Sequence, residues 1–218
     1  MNWLEQVDNY CERLGPGLLA EPLNLVSNLA FLLAAALVWR RTRPDGLARA
    51  LALILFIIGL GSLAFHGFAQ RWAALADVLP ILAYILVYIY AATTRYLHQT
   101  WWLGLVVTLA FIPFAMLLGR GMAALFGPLN GSVSYMPVLA MILAYAALLA
   151  RKAPATARGL AIGAGILALS LTFRTLDAPL CVAVPIGLHF MWHILNAIML
   201  GWMILVLLRH PRLAPLAR

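Results

Sequence analysis

The sequence predicts an all-α membrane protein, a bundle of seven transmembrane helices with its N-terminus outside and its C-terminus in the cytoplasm. Three observations lead there. Of the 218 residues, 65% are hydrophobic and 10% charged, against about half and about a quarter in ordinary soluble domains. The mean hydropathy is +0.96. The apolar residues fall into seven runs, each near the ~20 residues that a helix needs to cross a bilayer. The runs use up the chain, so residues 1–218 are expected to form one transmembrane domain with nothing left for a soluble one.

Residues 1–19 are polar and broken by Gly15-Pro16-Gly17, which predicts a short extracytoplasmic segment lying over one end of the bundle. Its first ten residues carry Glu5 and Asp8, no Lys or Arg and no apolar core, so no cleavable signal peptide is expected. The bundle occupies 20–210, with spans over 22–38, 48–68, 73–91, 101–118, 135–149, 157–173 and 185–208. Gly and Pro disturb the pattern over 119–134, and 211–218 form a cytoplasmic tail.

The orientation comes from the cations. One set of connections holds Arg40, Arg41, Arg43, Arg49, Arg95, Arg151, Lys152, Arg158, Arg209, Arg212 and Arg218, and the other only Arg13, Arg71, Arg120 and Arg174. Basic residues mark the cytoplasmic side. The same distribution accounts for the net charge of +8 without nucleic acid, since no basic run is interleaved with aromatics.

Orientation then gathers scattered polar residues at one depth. His189 and His193 stand four apart at the start of the seventh span and share a helix face. Ser62 and His66, also four apart, lie near the outer end of the second span, and Asp77 opens the third. Ionisable groups within spans usually mark function. Three neutral imidazoles that leave a fourth tetrahedral position open suit catalytic zinc, which acidifies water and polarises a carbonyl. Asp77 is a candidate general base or a residue that orients a ligand by hydrogen bonding, and Ser62 a candidate oxyanion donor. The alternative is a buried polar network that ties three helices together without metal.

These residues carry a resemblance. Ser-x-x-x-His, Asp and His-x-x-x-His on the second, third and seventh spans resemble the membrane hydrolase superfamily of alkaline ceramidases and progestin and adipoQ receptors. Asn9-Tyr10-Cys11-Glu12 and Ala20-Glu21-Pro22-Leu23-Asn24-Leu25-Val26-Ser27-Asn28-Leu29 resemble the alkaline ceramidase branch, as a bacterial-type member. The resemblance implies zinc on His66, His189 and His193, with Ser62 and Asp77 beside it. It implies a hydrolase that cleaves the amide of a ceramide-like membrane lipid to a fatty acid and a sphingoid base, in a bacterial inner membrane with the site facing outward. The alternatives are a lipid receptor on the same scaffold and a hydrolase of another acyl lipid. No obligate protein partner is evident.

The family also binds calcium through an acidic N-terminal loop and a glutamate at the first span. By resemblance those roles fall to Asp8, Asn9, Tyr10 through its carbonyl, Glu12 and Glu21, with either Asp8 or Asn9 in the first position. Leu14 stands where the family tends to have an asparagine ligand. Without metal, Asp8, Glu12 and Glu21 would be a solvated acidic patch.

Cys11 and Cys181 are the only cysteines. The topology places both outside, where disulfides persist, so a bridge is expected, the alternative being two separate thiols. Asn24, Ser27, Asn28 and Asn196 read as interhelical hydrogen-bonding residues. His98 and His210 read as surface residues, and Arg174 and Asp177 as an ion pair or a headgroup contact.

Overall fold

The computed structural model describes residues 2–7 and 9–211. The sequence-based assignments to Asp8 and to the tail beyond Pro211 lie outside them. Eight α-helices are present among these residues: α1 (Pro22–Ser27), α2 (Leu29–Trp39), α3 (Gly46–Phe68), α4 (Arg71–Tyr96), α5 (Trp101–Phe126), α6 (Met136–Leu149), α7 (Pro154–Asp177) and α8 (His189–Arg209). Short 3₁₀ turns extend α2 and precede α6, and the result is seven helices long and apolar enough to cross a membrane. Among the described residues no strand forms, only a single bridge between Gln6 and Gln70.

The expected spans are all found, with shifted ends. The first breaks at Asn28 into α1 and α2. The third runs on to Tyr96 and the fourth to Phe126, into the disturbed stretch. The seventh starts at His189 rather than at 185, because Pro185 and Gly187 belong to a turn. Gly187 adopts φ +71°, where a Cβ would lie 2.8 Å from Asp177 Oδ1. That turn aims the Leu188 and His189 N–H groups at Asp177 Oδ1, at 2.6 and 3.0 Å. The opening donors of a helix have no intrahelical acceptor, so Asp177 decides where α8 begins.

α3 lies at the centre, packed on α2, α4 and α8, and α7 closes the other side of α8. Leu51, Leu55 and Ile58 of α3, Leu160 and Leu167 of α7 and Ile204 of α8 are almost fully buried there. The contact between α3 and α4 is closest at Gly61, where a Cβ would sit 2.0 Å from the Ala76 carbonyl oxygen. Pro80, inside α4, lacks the N–H that would engage that carbonyl. Glycine on one helix and proline on the next therefore let two backbones approach where Ser62 and Asp77 sit.

The N-terminal segment is laid over this end of the bundle. Val7 N–H donates to the Ala69 carbonyl at 2.7 Å and Arg71 N–H to the Glu5 carbonyl at 3.2 Å. The expected disulfide joins Cys11 to Cys181 across 170 residues. Asp177 Oδ2 accepts from Cys11 N–H at 3.1 Å, so one carboxylate holds both the segment and the start of α8.

Candidate metal centre

The three histidines meet. His66 comes from the last turns of α3, and His189 and His193 from the first turns of α8. Each offers a ligand atom, and these atoms lie within 4.8 Å of one another. All three side chains are among the most deeply buried in the molecule. His66 Nε2 and His189 Nδ1 are buried with no hydrogen-bond partner.

Two other ring nitrogens are held from behind. His66 Nδ1 donates to Glu21 Oε2 at 2.6 Å, the carboxylate–histidine pairing that fixes a ligand's tautomer and orientation. His193 Nδ1 stands 2.7 Å from the Ser27 hydroxyl. That hydroxyl gives its one proton to the Asn24 carbonyl at 2.9 Å, so it accepts from the ring and places the His193 proton on Nδ1. The Tyr10 ring stacks on His189 with centroids 3.7 Å apart. Buried ring nitrogens left without partners on His66 and His189, together with occupied ones on His66 and His193, suit a three-histidine metal site.

Ser62 and Asp77 line the same cavity as His193. The cavity is otherwise largely apolar, walled by such residues as Phe31, Ile81, Trp192 and Met203. Along α4 its lining runs from Asp77 to Ile89, about 18 Å at 1.5 Å per residue. A polar head opening onto a long apolar channel suits an amphiphile.

The carboxylates around Glu21 are arranged differently from the sequence-based expectation. Glu12 and Glu21 are buried, at 8% and 2% exposure, so they are not a solvated patch. Glu12 uses both oxygens on the first turn of α1, accepting from Leu23 N–H at 2.6 Å and Asn24 N–H at 2.8 Å. Glu21 accepts from Arg13 Nε at 2.5 Å, Asn24 Nδ2 at 3.0 Å and His66 Nδ1. Burial pushes the Glu21 carboxyl upward, but the hydrogen bonds and charges around it, His66 foremost, hold it below its ordinary range. Asn9 is exposed, and Tyr10 contributes its ring to the histidines. The described residues therefore do not fit a calcium site. All four carboxylate oxygens of Glu12 and Glu21 already have a protein donor, and a guanidinium lies among the oxygens a cation would need.

Several participants were missed or misplaced by sequence reasoning. Ser27 is a hydrogen-bonding residue as expected, but its partner is a candidate ligand. Arg13 was counted only as a loop charge. Asp177 bonds three backbone N–H groups instead of Arg174, whose guanidinium lies 5.0 Å from the Trp192 ring and 5.9 Å from that of Tyr10. Burial raises the Tyr10 hydroxyl above its ordinary value, and Arg174 pulls it part of the way back. His210 is buried beside Thr156 at 2.9 Å rather than on the surface. The one available signal was spacing: Arg13 and Glu21 flank a Gly-Pro-Gly turn that can fold one onto the other.

A family model described as Ceramidase matches residues 6–213. No curated protein matches the chain.

Proposed function

The chain belongs to the ceramidase family, and from that membership and the site geometry we propose that it is a zinc-dependent amidase of the membrane interior, cleaving a ceramide-like lipid to a fatty acid and a free sphingoid base. The observation that carries the reading is the convergence of His66, His189 and His193, two of them with an unpartnered ring nitrogen, where His193 joins Ser62 and Asp77 in the wall of the apolar cavity. Neutral imidazoles suit zinc, whereas calcium and magnesium prefer oxygen.

Zinc in a three-histidine site supplies Lewis acidity and a nucleophile at neutral pH. The protein's own groups supply the rest. The Ser62 hydroxyl donates to the amide oxygen as negative charge develops on it. Asp77 takes the proton of the attacking water and passes it to the leaving nitrogen. The apolar channel takes an acyl chain and keeps bulk water from the reacting amide. Glu21 and Ser27 hold His66 and His193 in their binding tautomers.

The cation distribution supports placing this end outside the cytoplasm. Arg13 is buried and the Arg174 guanidinium lies over interior rings, so neither is a loop charge, and among the described residues only Arg71 and Arg120 remain here against nine at the other end. The test is elemental analysis of purified protein beside a hydrolysis screen of N-acyl lipids. About one zinc per chain is expected, with zinc and turnover both lost in His66→Ala and His193→Ala. Equal zinc in wild type and His66→Ala would overturn the site. Zinc bound without hydrolysis of any lipid would favour a receptor on this scaffold.

A further inference from the structure

We propose that the Arg13 guanidinium is a built-in cation that does the mechanical work a calcium ion would do at this position, and that through Glu21 it positions the metal ligand His66. The second half rests on the zinc reading above, while the first does not.

Arg13 is 7% exposed, and its guanidinium gathers oxygens from three separate pieces of chain. Nε donates to Glu21 Oε1 at 2.5 Å, at the entry to α1. Nη1 donates to the carbonyls of Gly15 at 3.0 Å and Gly17 at 3.4 Å, in the loop between. Nη2 donates to the His66 carbonyl at 2.9 Å, in the last turn of α3. One carboxylate and three carbonyls form the sort of oxygen set a hard cation takes. Here the charge at its centre is covalently part of the chain. The planar fork suits the task, since its donors leave in fixed directions. One of its acceptors is also an end carbonyl of α3, where the helix dipole favours positive charge.

The surrounding residues agree. Glu12, the acid next to Arg13 in sequence, spends both oxygens on the first turn of α1. Leu14, next to Arg13, is 93% exposed and has no donor atom to offer. The buried charge of Arg13 is matched by Glu21, whose second oxygen receives His66 Nδ1–H. Arg13, Glu21 and His66 thus form one chain of contacts. Its first member fixes the carboxylate, and the carboxylate fixes the tautomer and direction of the ring.

The experiment uses zinc-loaded full-length protein in detergent, transferred to calcium-free buffer. Calcium content is measured by elemental analysis, and thermal unfolding is followed with and without millimolar CaCl2. Zinc affinity is read by competition with a chromophoric chelator for wild type, Arg13→Gln and Arg13→Lys. Wild type should carry no calcium, and its midpoint should not move, because an ion that bound the folded state would raise it. Arg13→Gln should weaken zinc about 10- to 100-fold, the usual effect of losing an outer partner of a ligand, and Arg13→Lys should recover part of that. A midpoint that rises with CaCl2 in wild type overturns the built-in cation. Unchanged zinc affinity in Arg13→Gln and Arg13→Lys overturns the positioning role. If Arg13→Gln does not fold, Arg13→Lys and the wild-type calcium measurement decide. Wild type without zinc would refute the functional reading and leave the calcium arm to judge Arg13.

Discussion

At the arginine-rich end of the bundle the buried polar groups answer one another, whereas at the disulfide end three histidines, packed as tightly, leave ring nitrogens unanswered. Asp45 caps α3 through Ala48 N–H at 3.0 Å and receives both terminal nitrogens of Arg95. The hydroxyls of Tyr88 and Tyr96 are 2.8 Å apart, those of Thr93 and Tyr145 2.5 Å, and Thr156 meets His210 Nδ1. At the disulfide end, His66 Nε2 and His189 Nδ1 have no partner, and Asn28 Oδ1 at the break between α1 and α2 is also unpaired. An unsatisfied buried group costs about 1–3 kcal/mol. A satisfied network therefore explains itself by the fold, and an unsatisfied one asks for a ligand.

The comparison breaks most decisively at Asp77 and Ser62. Asp77→Asn keeps size and polarity but cannot take a proton, and should lose ~100- to 10,000-fold in lipid-amide turnover. Ser62→Ala should lose ~100- to 1,000-fold. Both should keep wild-type zinc by elemental analysis. Full rate in Asp77→Asn would reduce this end to a structural network like the other.

A smaller effect sharpens the role of the supporting residues. Ser27→Ala strips His193 Nδ1 of its partner and should weaken zinc ~10- to 100-fold in chelator competition. Unchanged affinity would mean that packing alone holds the ring. The smallest effect belongs to the far end, where Thr156→Val removes the partner of His210. It should cost ~0.5–1.5 kcal/mol, visible in the thermal midpoint, with zinc and turnover as in wild type. A drop in zinc there would show the two ends to be coupled.

The sequence made the seven spans legible because length and hydropathy are local properties and the bilayer fixes both. It also brought Ser62, His66, Asp77, His189 and His193 to one level, since successive spans run in alternating directions and carry their ends to the same side. It was less informative at the ends of elements. The start of α8 was misplaced because Asp177, eleven residues upstream, supplies its cap. The calcium expectation followed the types of residues present, whereas the oxygens of Glu12 and Glu21 are spent on protein donors.

By itself, then, the chain's chemistry determined the class, the span count, the level of the histidines and the cysteine pair. Each follows from spacing along a helix or from counting, and neither depends on which helix lies beside which. The tertiary structure alone decided that Arg13 folds back onto Glu21, that Ser27 and Glu21 hold the ligand rings, and that Gly61 brings Ser62 against Asp77. Those outcomes turn on hydrogen-bond directions and on backbone contacts between elements distant in sequence. Burial makes such partnerships obligatory, because a polar group sealed from water must take whichever partner the packing brings within reach.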